Sequence, residues 1–155
     1  MPAPEPLRFV VNRHDATTLH FDLRLEADGV LVSWAVPKGP SLDPKAKRLA
    51  VQVEDHGMEH LVWEDERKVV WDTGFYLPAE DPGPALAEGH LRFVLSGHRL
   101  RGGFALTRTR MGGNERNWIL IKVDDEYAVA GHQWHSADMG SVLTDRRLEA
   151  DENAG

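Results

Sequence analysis

The 155-residue sequence contains no cysteine, which excludes disulfides and thiolate metal sites and suits a reducing compartment. Any metal must then be held by nitrogen and oxygen. No run approaches about eighteen consecutive apolar residues, and the opening "MPAPEPLRF" has neither an apolar stretch nor a cleavage signature. A membrane span and a secretory leader are therefore not expected, and the chain reads as soluble and cytoplasmic. No internal repeat is visible, and a chain of this length needs only one folded unit.

A surplus of positive charge is missing as well. The formal charge of −7 argues, taken alone, against a polyanion partner. Its distribution changes that reading. Residues 1–123 carry 16 Lys and Arg against 17 Asp and Glu, whereas residues 124–155 carry 2 against 8. The acidity sits in the tail. A near-neutral body with clusters such as "KAKR" (45–48) and "RLRGGFALTRTR" (99–110) still offers a basic face to phosphates.

What is abundant is alternation. "RFVVN" (8–12), "LHFDLRLE" (19–26), "VLVSWAV" (30–36), "RLAVQVE" (48–54), "RKVVWDTG" (67–74), "HLRFVLSG" (90–97), "FALTRTR" (104–110) and "NWILIKV" (117–123) are short β-like runs separated by turn signals. "ADG" (27–29) reads as a hairpin turn, and "DPGPALAEG" (81–89) as a short helix with Pro near its start and Gly at its end. The expected fold is mainly all-β: a closed or nearly closed barrel of about eight strands with one or two short helices. Residues 1–130 form the barrel, and 131–155 an acidic, partly irregular tail whose end, "RRLEADENAG" (146–155), reads as solvated. His132, Trp134 and His135 in that tail read as a strapping segment rather than a metal site.

The second run poses the functional question. In a strand, Leu19, Phe21, Leu23 and Leu25 share one face, and His20, Asp22, Arg24 and Glu26 the other. Charged groups are costly in a dry core, so this polar face is expected to line a small site inside the barrel. His20 and Asp22, about 7 Å apart along the strand, suit a borderline divalent ion, with His14 folding over them from the preceding turn. Arg24, next on the face, suits an anion held by that metal. His56 and His60, in "VEDHGMEH" (53–60), are two further imidazoles that can reach such a site.

Three chemistries use these residues. A metal-assisted phosphoesterase employs His14, His20, Asp22 and Arg24 together. A non-haem iron oxygenase would combine His20 and Asp22 with His56 as a facial triad and leave His14 idle. A non-catalytic module would only bind nucleic-acid ends.

The run "RFVVNRHDATTLHFDLRLEADGVLVSWAVPKGPSLDPKAKRLAVQVEDH" (8–56) resembles the 3′-phosphoesterase domain of bacterial DNA ligase D in its stand-alone form, and the similarity continues through 89–110, 117–128 and 141–149. The resemblance implies a β-barrel carrying a manganese-dependent site in its interior; on the donor set alone, other divalent transition metals such as Co²⁺ or Zn²⁺ also suit. It implies removal of a terminal ribonucleoside and then of the 3′-phosphate at DNA or primer-template 3′ ends, in double-strand break repair by end joining. On the matching positions, His14, His20 and Asp22 are metal ligands, Arg24 and His56 hold the scissile phosphate, and Lys38, Arg48 and Glu54 support the site. His60 stands where the family usually has a phosphate-contacting tyrosine, and is expected to hold phosphate in its place. "LVWEDERK" (61–68) is shorter than its counterpart, and the N-terminal arm is almost absent. A monomer working beside a separately encoded ligase and polymerase is the expected form.

Overall fold

A computed structural model describes residues 6–153 of the chain. The N-terminal arm and the last two residues of the tail lie outside the described residues. Alternation becomes eight antiparallel strands: β1 (Leu7–Asp15), β2 (Leu19–Ala27), β3 (Val30–Val36), β4 (Arg48–His56), β5 (Lys68–Pro78), β6 (His90–Gly97), β7 (Arg101–Arg108) and β8 (Asn117–Lys122). They close into a barrel in the order β1-β2-β3-β4-β8-β7-β6-β5. Every edge is thereby paired. The β2–β3 turn is Asp28-Gly29, with φ of 52° and 82°, the left-handed pair that a two-residue hairpin turn requires. The short helix forms as α1 (Pro82–Glu88), opened by Pro82 and ended by Gly89 at φ 91°.

The apolar strand faces meet inside. Phe21, Leu23 and Leu25 of β2 join Trp34 of β3, Trp71 of β5 and Trp118 of β8 in one buried cluster. Trp34 and Trp118 pack edge to face at 5.5 Å between ring centroids, a geometry aromatic quadrupoles favour. Because the β2 side chains alternate, this packing corrects the expected interior site: His20, Asp22 and Arg24 lie on the outer wall. Eight strands enclose about enough room for side chains alone, and here the apolar face fills it. A second cluster of Val10, Leu31 and Val70, covered by Met58, Leu61 and Val142, lies apart from the first.

The tail is more ordered than its polar composition suggests. Trp134 packs edge to face on Trp71 at 4.9 Å and donates from Nε1 to the Pro40 carbonyl at 2.8 Å, so the segment does act as a strap. Val142 donates its N–H to Val70 of β5 at 2.9 Å. Leu148 is buried, and the helix α2 (Glu149–Asn153) carries Asp151, which pairs with Arg13 of β1 beneath the surface. Leu148 and Asp151 are thus packed, where a solvated end was expected. Local pattern could not reveal this, because Arg13 lies 138 positions away. No helix among the described residues is long and apolar enough to cross a membrane.

Candidate functional site

The β1–β2 hairpin builds the centre. His14 pairs with His20 across it, and Asn12 with Asp22, so all four side chains share the outer face. His14 is a strand residue, not part of the turn, and its ring centroid lies 5.1 Å from that of His20. One donor atom each from His14, His20 and Asp22 lies within 4.8 Å of the other two.

Hydrogen bonds orient each of these side chains. His20 Nδ1 donates to the Thr18 carbonyl at 2.9 Å, which turns Nε2 toward Asp22 Oδ1 at 2.9 Å. His14 Nδ1 meets the other oxygen, Oδ2, at 3.0 Å. The hydrogen bond to Asp22 raises the His20 pKa, against burial. Burial works to raise the Asp22 pKa, but the His20 hydrogen bond and the Arg24 charge outweigh it and hold the carboxyl below its usual value. An ionised carboxylate between two imidazoles suits a borderline divalent cation, and the carbonyl that fixes His20 is the usual outer partner of a ligating histidine. The donor set therefore fits a metal.

Arg24 is the hinge between this cluster and the next. It is 2% exposed, yet three of its N–H groups have partners: Nε donates to Asn12 Oδ1 at 3.1 Å, Nη1 to His56 Nδ1 at 3.0 Å, and Nη2 approaches Asp22 Oδ2 at 3.4 Å. A guanidinium has five such hydrogens, so two have no partner among the described residues. His56, at the end of β4, has Nδ1 also 2.9 Å from the Glu54 carbonyl. Arg24 can only donate and a carbonyl can only accept, so Nδ1 serves one of these contacts at a time, with a lone pair toward Arg24 or a proton toward Glu54. Burial and the Arg24 charge lower the His56 pKa, which agrees with a neutral ring.

His60 reaches the same place from a 3₁₀ turn, Met58–Leu61, seated by Met58 and Leu61 on the second apolar cluster. Its ring meets His56 edge to face at 4.8 Å and stacks on Trp63 at 4.9 Å. Lys68 Nζ lies 3.3 Å from His60 Nδ1. Burial, then the Lys68 charge, lower the His60 pKa.

The structure therefore brings together His14, His20, Asp22, Arg24, His56 and His60. His56 is not among the grouped donor atoms and turns Nδ1 to Arg24 instead, so the His20, Asp22, His56 triad of the oxygenase reading is not assembled among the described residues. Lys38 and Arg48 line a different recess, of about 260 Å³, with Phe21, His132, Trp134 and Met139. The Glu54 side chain is exposed, and the residue meets the site through its backbone carbonyl. Asn12, Trp63 and Lys68 were not legible as site residues. Asn12 shares strand parity with His14, which is a usable signal, but Lys68 is placed only by the β1–β5 pairing, where it lies opposite His14.

The chain has relatives among known proteins. The chain is 45% identical over 149 residues to the multifunctional non-homologous end joining protein LigD of Pseudomonas aeruginosa, covering 90% of this chain and 17% of that protein. It is 36% identical over 134 residues to the protein of the same name from Mycolicibacterium smegmatis, covering 77% and 17%. It is 34% identical over 130 residues to the multifunctional non-homologous end joining DNA repair protein LigD of Mycobacterium tuberculosis, covering 76% and 16%. The chain thus spans about a sixth of the length of these relatives. Residues 12–108, from Asn12 beside Arg24 to the end of β7, match the family model described as the DNA Ligase D 3′-phosphoesterase domain, and the chain belongs to that family.

Proposed function

We propose that the chain is a metal-dependent phosphoesterase that heals DNA 3′ ends during end joining, removing a terminal ribonucleoside and then the 3′-phosphate left behind. The observation that carries this reading is the buried Arg24, whose guanidinium links the metal-ligand cluster at Asp22 to the imidazole of His56. Metal ligands and anion donors are thereby held on one wall of the barrel.

His14, His20 and Asp22 would hold the ion, Mn²⁺ by preference and Co²⁺ or Zn²⁺ as other candidates. When bound, the metal supplies Lewis-acid stabilisation of negative charge and lowers the pKa of water. The two N–H groups of Arg24 without a protein partner suit two phosphate oxygens, and their donors are oriented before substrate arrives. In the tautomer whose Nδ1 lone pair accepts from Arg24, His56 carries its proton on Nε2. Water forms the new bond to phosphorus in both steps, and that proton suits the leaving oxygen, which departs as a hydroxyl: the ribonucleoside 5′-oxygen in the first step and the primer 3′-oxygen in the second. His60 offers a second imidazole beside it. A primer-template or duplex 3′ end is the proposed substrate, approached through phosphate contacts rather than base readout. Proposed partners are a separately encoded ligase and polymerase, and the relatives' names, which speak of non-homologous end joining, support a place in that process.

The test is phosphate release from a 3′-phosphorylated primer-template at saturating Mn²⁺. Release that stops with EDTA and in His20→Ala supports the reading. Release that survives both, or none with Mn²⁺, Co²⁺ or Zn²⁺, contradicts it.

A further inference from the structure

The site holds one more cation than its acids account for. Lys68 opens β5 and is only 7% exposed. Among the described residues no carboxylate lies within 4.0 Å of its ammonium, and its hydrogen-bond partner is the imidazole of His60 at 3.3 Å. The nearby acids are engaged elsewhere. Asp22 joins His14, His20 and Arg24. Asp65 accepts from Trp63 Nε1 and the Arg67 amide. Glu64 accepts from the Val70 amide at 2.6 Å and the Thr144 hydroxyl at 2.9 Å. A buried ammonium with no carboxylate in contact is costly: burial and the Arg24 charge outweigh Asp65 and Asp22, which favour its charge from beyond contact distance.

The tight turn before β5 fixes this arrangement. Asp65 and Lys68 bridge backbone to backbone, and Arg146 of the tail donates to the Lys68 carbonyl at 2.9 Å. Trp63 roofs the pair, with its ring centroid 5.9 Å from Lys68 Nζ and its face on His60. Because an ammonium can only donate, its bond to His60 Nδ1 leaves the imidazole proton on Nε2.

We propose that Lys68 is a phosphate-holding residue of this site: its ammonium supplies a charge for the terminal 3′-phosphate and fixes His60 as an Nε2–H donor toward the same anion. Arg24 and His56 form one half of the cradle, and Lys68 and His60 the other. This inference rests on the phosphoesterase reading and deepens it by naming the group that recognises a 3′-phosphate over a 3′-hydroxyl.

The experiment compares fluorescence anisotropy of 3′-phosphate and 3′-hydroxyl primer-templates bound to the full chain in EDTA, for the wild type and Lys68→Met. The histidine ring nitrogens are followed by ¹⁵N NMR in both. Thermal melting and Mn²⁺ titration of the variant establish that fold and metal site persist. A charge-assisted hydrogen bond corresponds to a roughly tenfold or greater effect. The expected result is a preference for the 3′-phosphate end in the wild type that falls by about tenfold in Lys68→Met, with His60 moving from a single Nε2–H form to a tautomer mixture. An unchanged preference in the variant, while the wild type still discriminates and releases phosphate, overturns the role of Lys68 and leaves the phosphoesterase reading standing. A wild type that neither discriminates nor releases phosphate overturns both. A variant that loses Mn²⁺ affinity together with the preference shows a structural role and overturns the proposal.

Discussion

Asn12 and Arg24 hold each other in place on the outer wall of the barrel. The fully buried Asn12 accepts from Arg24 Nε at 3.1 Å and donates from Nδ2 to the Val69 carbonyl at 3.2 Å. Asn12→Ala therefore removes the support of a buried guanidinium without touching any group proposed to meet substrate. Stability falls by about 1–3 kcal/mol, read by urea unfolding. Phosphate turnover falls more than substrate affinity, because Arg24 loses its orientation rather than its charge.

Metal binding has its own signature. Ligand that binds only the folded state stabilises it, by about 2.7 kcal/mol at a hundred times Kd, roughly 6–10 °C in Tm for a chain of this size. The expected outcome is that Mn²⁺ raises Tm by that order in the wild type and that neither His20→Ala nor Asp22→Asn responds. Differential scanning fluorimetry across a Mn²⁺ titration measures it.

The pair of Arg13 and Asp151 joins β1, one residue before His14, to α2. Their side chains are 9% and 5% exposed, and Arg13 also lies over the Phe21 ring at 4.6 Å. Breaking a buried pair leaves an uncompensated charge, at a cost of about 3–5 kcal/mol. Asp151→Ala loses that much in chemical denaturation, and the double variant Arg13→Met, Asp151→Leu recovers most of it. If the single variant unfolds like the wild type, the tail does not clamp the barrel.

Stability of the metal-free chain depends on pH through its histidines. Burial is the leading cause that lowers the pKa of His56, His60 and His132 below 6.5. For each, the unfolded state binds more protons than the folded state just below pH 6.5, so stability falls as the pH drops through that window. His20, raised by Asp22, acts in the opposite sense, and its contribution fades as the pH rises through its folded value. The imidazoles lowered by burial set the predicted outcome, a lower Tm at pH 5.5 than at pH 7.5 in EDTA, with a smaller drop in His56→Asn, His60→Gln. A Tm that rises on acidification contradicts this balance.

The strands were legible because side chains alternate along them, and the polar set His20, Asp22 and Arg24 follows from the same period. Which face points inward was not. Alternation says which residues share a face, while the interior of a closed barrel goes to the face that packs. Phe21, Leu23 and Leu25 pack against tryptophans from β3, β5 and β8, and only the closed fold shows that they fill the space. His60, Trp63 and Lys68 meet through a 3₁₀ turn and a tight turn whose local sequence carries no periodic signal. Leu148 and Asp151 escaped notice because one apolar residue among charges has no pattern, and Arg13 is distant in sequence.

The most direct test of the central account follows a 5′-labelled primer-template ending in one ribonucleotide, incubated with Mn²⁺ and resolved on a gel over time. The account predicts that a 3′-phosphate product appears and then converts to a 3′-hydroxyl, with both steps lost in EDTA and in Asp22→Asn. An intact primer under every divalent metal tried, or cleavage indifferent to Asp22→Asn, would contradict it.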